Sequence, residues 1–279
     1  MNKVYLIGNG YVCDFITEYE REGIEFIGVC RSDKHNCHKN IRLDISKDNS
    51  KLRDLIQEKS IVVYLAPPQL HGNRDLILNN FLNSIHRDKI LKIIYISTSG
   101  VYGDRKDGVV NEEVSVNPIT DRAKRRVDAE KQIRASGINY TILRVPGIYG
   151  KGRLPLKRIF QKLPLIRSDI CKHTNLIHVK DLANIIIKCL ESTVTSCKTI
   201  NVSDGTPIKT TNYYLHIYDA LGLSYPEFIS YEAAYEIYDE KRISFINESR
   251  ILNTSLMDEL FPNIIKFKSV VDGIKDSLK

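Results

Sequence analysis

No apolar run in the sequence approaches the roughly 20 residues of a membrane-crossing helix, so a helical membrane protein is not a viable reading. The first residues, Met1-Asn2-Lys3-Val4-Tyr5-Leu6-Ile7, enter a strand pattern at once, and no secretory leader is expected. The six cysteines form no Cys-x-x-Cys pair. Cys30, His35, Cys37 and His38 lie close together, but zinc sites usually take ligands from two separated pairs, and there is no second pair. No metal is therefore expected, and the thiols read as free in a reducing cytoplasm. Repeats, low-complexity tracts and Gly/Ser linkers are also missing. So is a basic tail, although 41 Lys and Arg against 34 Asp and Glu give a net charge of +7. An excess of this size, with one knot at Lys124-Arg125-Arg126, suits anionic small molecules as well as nucleic acid. It carries no nucleic-acid prediction, and no membrane partner is expected.

What is present begins with Val4-Tyr5-Leu6-Ile7-Gly8-Asn9-Gly10-Tyr11-Val12-Cys13. An apolar strand breaks into Gly-x-Gly and runs into a helical pattern from Asp14 to Glu22, the opening of a dinucleotide-binding βαβ unit. Gly8 allows the tight turn. Gly10 has no Cβ and so lets a pyrophosphate approach the backbone, the N–H groups of the following helix start face it, and Tyr11 and Val12 are further candidate cofactor contacts. Cys13 stands where a third glycine is usual and is small enough for helix and strand to pack closely.

A second strand, Glu25 to Cys30, ends in Arg31 and not in the carboxylate that binds an NAD ribose. Arg31 can pair with a 2′-phosphate, so NADP is expected over NAD. Asp44 is a candidate acceptor for an adenine amino group. The β-branched run Ser60 to Leu65 ends in Ala66-Pro67-Pro68, and Leu65, Ala66 and Pro67 make a close floor for a flat cofactor. Helical spacing follows over Asn73 to His86. Leu91 to Ile96 is a further buried strand that runs into Ser97-Thr98-Ser99-Gly100-Val101-Tyr102-Gly103. Asn117-Pro118 reads as a helix start, with a stop at Gly137. The strand Tyr140 to Arg144 leads to a turn-rich break, Val145 to Gly150. The strand–helix rhythm lapses over Lys151–His173, returns for Leu176 to Val202, and then becomes mixed. The pattern predicts an α/β, doubly wound parallel sheet with a smaller, discontinuous mixed C-terminal lobe. The expected division is 1–150 plus 174–203 for the sheet domain and 151–173 plus 204–279 for the lobe. A ligand cleft is expected between them.

Five motifs in order carry a family resemblance: Gly8-Asn9-Gly10-Tyr11-Val12, Val63-Tyr64-Leu65-Ala66, Ser97 to Gly103, Leu143 to Gly150, and Ile177-His178-Val179-Lys180-Asp181-Leu182-Ala183. With Ser249-Arg250-Ile251-Leu252-Asn253 near the C-terminus, the chain resembles the extended short-chain dehydrogenase/reductase superfamily, in its NAD-dependent nucleotide-sugar epimerase/dehydratase branch. The resemblance implies a Rossmann domain, with cofactor contacts that also involve Pro146 and Ile148. It implies a hydroxyl that polarises the substrate oxygen, here Thr98, and a Tyr and a Lys four apart on a helix for proton transfer.

The chain departs from that pattern at the pair. Alignment on Ala129-Glu130-Lys131 puts Arg122 at the tyrosine and Arg126 at the lysine, and arginine is no general base at neutral pH. The chain thus looks like an atypical branch of the family. Arg122 is a candidate for substrate phosphate or carboxylate, Arg126 for the cofactor ribose, and Tyr149 for the proton. Two functions stay open: an oxidoreductase or epimerase-like enzyme on a sugar nucleotide or related anionic small molecule, and a non-catalytic NADP-binding sensor or scaffold. The family's habit of pairing helices makes a homodimer reasonable.

Overall fold

A computed structural model describes residues 2–19, 22–47, 49–56 and 59–279. In chain order the first half comprises β1 (Asn2–Ile7), α1 (Tyr11–Ile16), β2 (Ile24–Cys30), β3 (Lys39–Arg42), α2 (Leu52–Leu55), β4 (Ser60–Tyr64), α3 (Leu76–Ser84), β5 (Ile90–Thr98), β6 (Val109–Val110), α4 (Asp121–Ala135) and β7 (Tyr140–Val145). The second half adds β8 (Gly147–Tyr149), α5 (Leu156–Phe160), β9 (Leu165–Ile166), β10 (His173–Thr174), β11 (Leu176–His178), α6 (Val179–Glu191), β12 (Lys198–Asn201), β13 (Ile208–Lys209), α7 (Thr210–Ala220), β14 (Phe228–Ile229), α8 (Tyr231–Ile237), α9 (Glu240–Ile246), β15 (Ile251–Leu252), α10 (Ser255–Leu260) and α11 (Val270–Ser277).

Seven parallel strands form the central sheet in the order β12-β7-β5-β4-β1-β2-β3. This is the doubly wound Rossmann arrangement, and the order reverses between β1 and β4. Strands buried on both faces need apolar residues at every position. Val4 and Leu6 of β1 with Ile94 and Ile96 of β5 face α1 and α6, while Tyr5 and Ile7 with Ile93 and Tyr95 face α3 and α4. Beyond the sheet, Tyr149, Leu165, Leu176, Ile217 and Ile274 form one further core, and Ile166, Ile229, Ala234 and Tyr238 another. Met257 and Phe261, on and just after α10, pack against the α6 face of the sheet. Among the described residues no helix is long and apolar enough to cross a membrane.

Several boundaries differ from the sequence pattern. The first helix spans Tyr11–Ile16, not Asp14–Glu22, because Gly10 already serves as its N-cap and Thr17 ends it by bonding back to the carbonyls of Cys13 and Asp14. Glu20 and Arg21 of the expected span lie outside the described residues. The third helix is shorter than Asn73–His86, because the Asp75 side chain caps Leu78 N–H at 2.9 Å. Asn117 does not cap α4: its N–H donates to the Val101 carbonyl, and Thr120 Oγ1 accepts from Ala123 N–H instead. Within the expected turn-rich break, Gly147–Tyr149 is a short strand paired with β11.

Gly8 has φ +86°, and a Cβ there would lie 2.5 Å from the Ala66 nitrogen. Gly23 has φ +81° with open space around it. Gly8→Ala should therefore cost roughly 3 kcal/mol, combining left-handed strain with a backbone clash, and Gly23→Ala only about 1 kcal/mol. Urea denaturation of both variants checks the contrast.

Candidate active site

β5 delivers the site. Its last residue, Thr98, leads into a single 3₁₀ turn over Ser99–Tyr102, where Thr98 Oγ1 accepts from Gly100 N–H at 3.2 Å. Beneath it lies a buried polar network. Glu130 of α4 accepts from Ser97 Oγ at 2.7 Å and from Arg144 at 3.1 and 2.8 Å. Arg144 Nη1 also donates to the Tyr102 hydroxyl at 2.8 Å, and that hydroxyl donates to Asn201 Oδ1 at 2.8 Å. Tyr102 is thus committed to the core. Burial alone would raise the Glu130 carboxyl. The Arg144 hydrogen bonds and charge, with Ser97 and Arg134, instead hold it below the usual 4.5.

Thr98 opens into a cavity of about 210 Å³, whose wall includes Arg122, Pro146, His173, Glu248 and Arg250. Arg122 lies 4.3 Å above the Phe245 ring and makes no hydrogen bond or ion pair among the described residues. Burial lowers its pKa, with Glu248 opposing, and the guanidinium stays charged. His173 places Nδ1 3.1 Å from Asp107 Oδ2. His173, Thr174, Phe245 and Glu248 also line an adjoining cavity of about 240 Å³, walled by Tyr213, Tyr214, Tyr231 and Tyr238.

The Arg126 guanidinium turns into the core, donating to the Tyr95 hydroxyl at 3.0 Å and to the Ile96 carbonyl at 3.4 Å. Tyr149 is buried edge-on against His178, and burial raises its hydroxyl well above the ordinary range. It is not among the residues that line the Thr98 cavity.

At the glycine turn, Gly8 and Asn9 N–H both donate to the Val29 carbonyl. Among the described residues, a Cβ on Gly10 would meet only the Gly8 carbonyl oxygen, at 3.6 Å. Tyr11 and Val12 are the first helical residues, so their N–H groups have no intrahelical partner. Six residues make little dipole, so any anion here would be met by backbone N–H groups at the turn. Tyr11 Oη donates to the Lys151 carbonyl at 3.0 Å under Arg153, and Cys13 is buried, its thiol pushed up to about 12. Leu65 N–H bonds the Ile7 carbonyl, Ala66 packs on Gly8, and Pro67 follows. Arg31 is exposed, with Asp44 in its electrostatic reach. Asp44 is held low chiefly by its 2.6 Å bond from Ser46 Oγ. Ile148 pairs with Ile177, while Pro146 reaches the Thr98 cavity.

Thr98, Arg122 and Pro146 are thus brought together; Gly8, Gly10, Tyr11, Val12, Leu65 and Ala66 cluster at the turn; Arg31 and Asp44 stand at the β2–β3 end. Sequence reading missed Asn9, whose side chain is buried and bonded to Asn36 and Asn40. It also missed His173, Phe245 and Glu248, and gave Arg250 no role. The one signal was the Ser249-Arg250 motif, far away in the chain.

Arg144→Met removes two of the hydrogen bonds to the buried Glu130 carboxylate, leaving Ser97 and Arg134, and should cost about 3 kcal/mol. The native pair's contribution should be full above about pH 4.5 and fade as acid protonates Glu130, because its folded pKa lies below the unfolded value. Urea titrations of both proteins at pH 7 and pH 3 check this: the gap between them should narrow in acid.

A family model described as NAD(P)H-binding matches residues 21–193. No curated protein matches the chain. A conserved protein of unknown function from Silicibacter pomeroyi DSS is similar in structure, with a TM-score of 0.85, 20% identity, and coverage of 100% of this chain and 98% of that one. UDP-glucuronic acid 4-epimerase from Bacillus cereus, in complex with UDP-glucuronic acid and NAD, gives 0.79 at 19% identity, covering 99% and 97%. UDP-N-acetylglucosamine 4-epimerase from Methanobrevibacter ruminantium M1, in complex with UDP-N-acetylmuramic acid, gives 0.77 at 16%, covering 99% and 96%.

Proposed function

Because the chain belongs to the NAD(P)H-binding family, we propose that it is an NADP-dependent oxidoreductase or epimerase-like enzyme acting on a sugar nucleotide or a related anionic small molecule. The observation that carries this reading is the shared cavity of Thr98, Arg122 and Pro146 at the carboxyl end of β5. The same cavity takes His173, Glu248 and Arg250 from the segments assigned to the C-terminal lobe. This supports the division into a cofactor half, 1–150 plus 174–203, and a substrate half, 151–173 plus 204–279. The UDP-sugars in the names of two similar structures supply the substrate class.

The residues suit the cofactor. The space beside Gly10 admits a pyrophosphate, Ala66 and Pro67 floor the site, and Arg31 is free to meet a 2′-phosphate at the end of β2. When bound, the dinucleotide supplies hydride chemistry. Thr98 Oγ1 donates to the substrate oxygen, and Arg122 neutralises a carboxylate or phosphate on the substrate. The Glu130–Arg144 pair fixes the strand end that presents Thr98. A cytoplasmic location and a homodimer complete the proposal.

One observation favours the second reading, an NADP-binding sensor or scaffold without catalysis. Arg126, which the family resemblance sets at the lysine of the proton-transfer pair, is spent on the Tyr95 hydroxyl. Calorimetric titration with NADPH and NADH, followed by a panel of keto and 4-keto sugar nucleotides, separates the two. The enzyme reading expects tight NADPH binding and oxidation by a panel member. NADPH binding without turnover favours the sensor, and failure to bind either cofactor overturns both.

Arg31→Ala should erase a NADPH preference of about ten- to a hundredfold, the worth of one charge-assisted contact. Thr98→Ala should lower kcat by about 10²–10³ while leaving the NADPH dissociation constant unchanged. An unaltered cofactor ratio, or full turnover, contradicts the respective role.

A further inference from the structure

We infer that Glu248 is a ligand-binding residue, whose free carboxylate oxygen accepts a hydrogen bond from a ring hydroxyl of the substrate's sugar at the junction of the two cavities. The inference rests on the nucleotide-sugar reading above and deepens it.

The Glu248 side chain is 10% exposed, and its Oε2 accepts from Arg250 Nη2 at 2.6 Å. Its Oε1 is buried and has no hydrogen-bond partner among the described residues, so a small shift of the side chain brings it to a ligand. A buried carboxylate oxygen left unpaired is costly and uncommon in native structures, and a bound donor removes the cost. The surroundings do not supply that donor. Arg250 is 11% exposed and is tied to the Gly103 carbonyl through Nε at 2.9 Å. Arg122 lies against Phe245 and acts on Glu248 through its charge without a hydrogen bond, while Lys172 Nζ donates to the Asn247 carbonyl and Arg242 lies over the Tyr238 ring.

The backbone holds this oxygen in place. Ser249 N–H donates to Asp104 Oδ1 at 2.9 Å, Arg105 N–H donates to the Ser249 carbonyl at 2.7 Å, and Asn175 Nδ2 donates to the Arg250 carbonyl at 2.8 Å. β15 then pairs with β6. Glu248 is therefore carried on a segment stitched to the loop after Tyr102.

Position and charge name the ligand group. Glu248 lines both cavities, so a ligand reaching from Thr98 towards the tyrosine-walled space passes it. An ionised carboxylate only accepts hydrogen bonds and repels phosphate or carboxylate. The part of the ligand beside it is thus uncharged and rich in donors, as a pyranose ring is. Its anionic parts lie elsewhere, towards Arg122 or towards Lys172 and Arg242 of the second cavity.

The test is calorimetric titration of the NADPH-saturated full chain with UDP, UDP-glucose and UDP-glucose analogues lacking one ring hydroxyl each. The wild type should bind at least one deoxy analogue about tenfold or more weakly than UDP-glucose, because a site built for a hydroxyl rejects its absence. In Glu248→Ala, which removes the acceptor, that penalty should vanish, with the affinity for NADPH unchanged. The inference is overturned if every deoxy analogue binds the wild type within about twofold of UDP-glucose, or if the penalty persists in the variant. Should Glu248→Ala lose NADPH binding, Glu248→Leu takes its place with the same expectation, and the wild-type series decides independently of either variant. If the wild type binds NADPH but neither UDP nor UDP-glucose, the nucleotide-sugar reading itself has failed, and the inference falls with it.

Discussion

The ion pair between Glu130 and Arg144 holds together three parts of the chain that the site requires. Both groups are buried, and each depends on the other to offset the cost of that burial. Together they bind Ser97 at the end of β5, Tyr102 at the end of the 3₁₀ turn and, through Tyr102, Asn201 at the end of β12. Thr98 lies between the first two anchors. Its position at the cavity is therefore set by a polar lattice under the sheet, and a loop free to drift would not hold it there. Pairing with Arg144 also fixes the face of α4 that looks inward, which leaves Arg122, two turns earlier, at the cavity wall.

A second constraint acts at the glycine turn. Gly8 is pressed against Ala66, and a buried Asn9 is held by Asn36 and Asn40 over Gly28, where even a methyl group would collide with the Asn9 amide. The loop that carries Lys34 is tied to α1 through Asp14. The ends of β1, β2 and β4 are thereby fixed relative to one another. Without that, a dinucleotide laid across the sheet edge would have to order its own binding surface and lose affinity to the entropy of doing so.

Much of this was legible in the sequence. Dense β-branched runs such as Ser60–Leu65 marked the buried strands, and Gly-x-Gly after Ile7 marked the turn, because local sterics dictate both. The start of α4 was less legible: Asn117 and Pro118 have the right chemistry for a helix start, but the Asn117 N–H is taken by Val101, a tertiary contact. The pairing of Glu130 with Arg144 also depends on which faces meet in space. The far wall of the cavity was hidden for the same reason. His173 and Glu248 are separated by 75 positions yet line both cavities together, and periodicity carries no trace of that.

The most direct test of the account is backbone hydrogen–deuterium exchange with and without NADPH. The account predicts that NADPH slows exchange at 8–13, 64–67, 97–100 and 145–148 and leaves the α7 and α8 segments unchanged. Protection confined to other segments, or none at saturating NADPH, would contradict a cofactor laid across the carboxyl edge of the sheet.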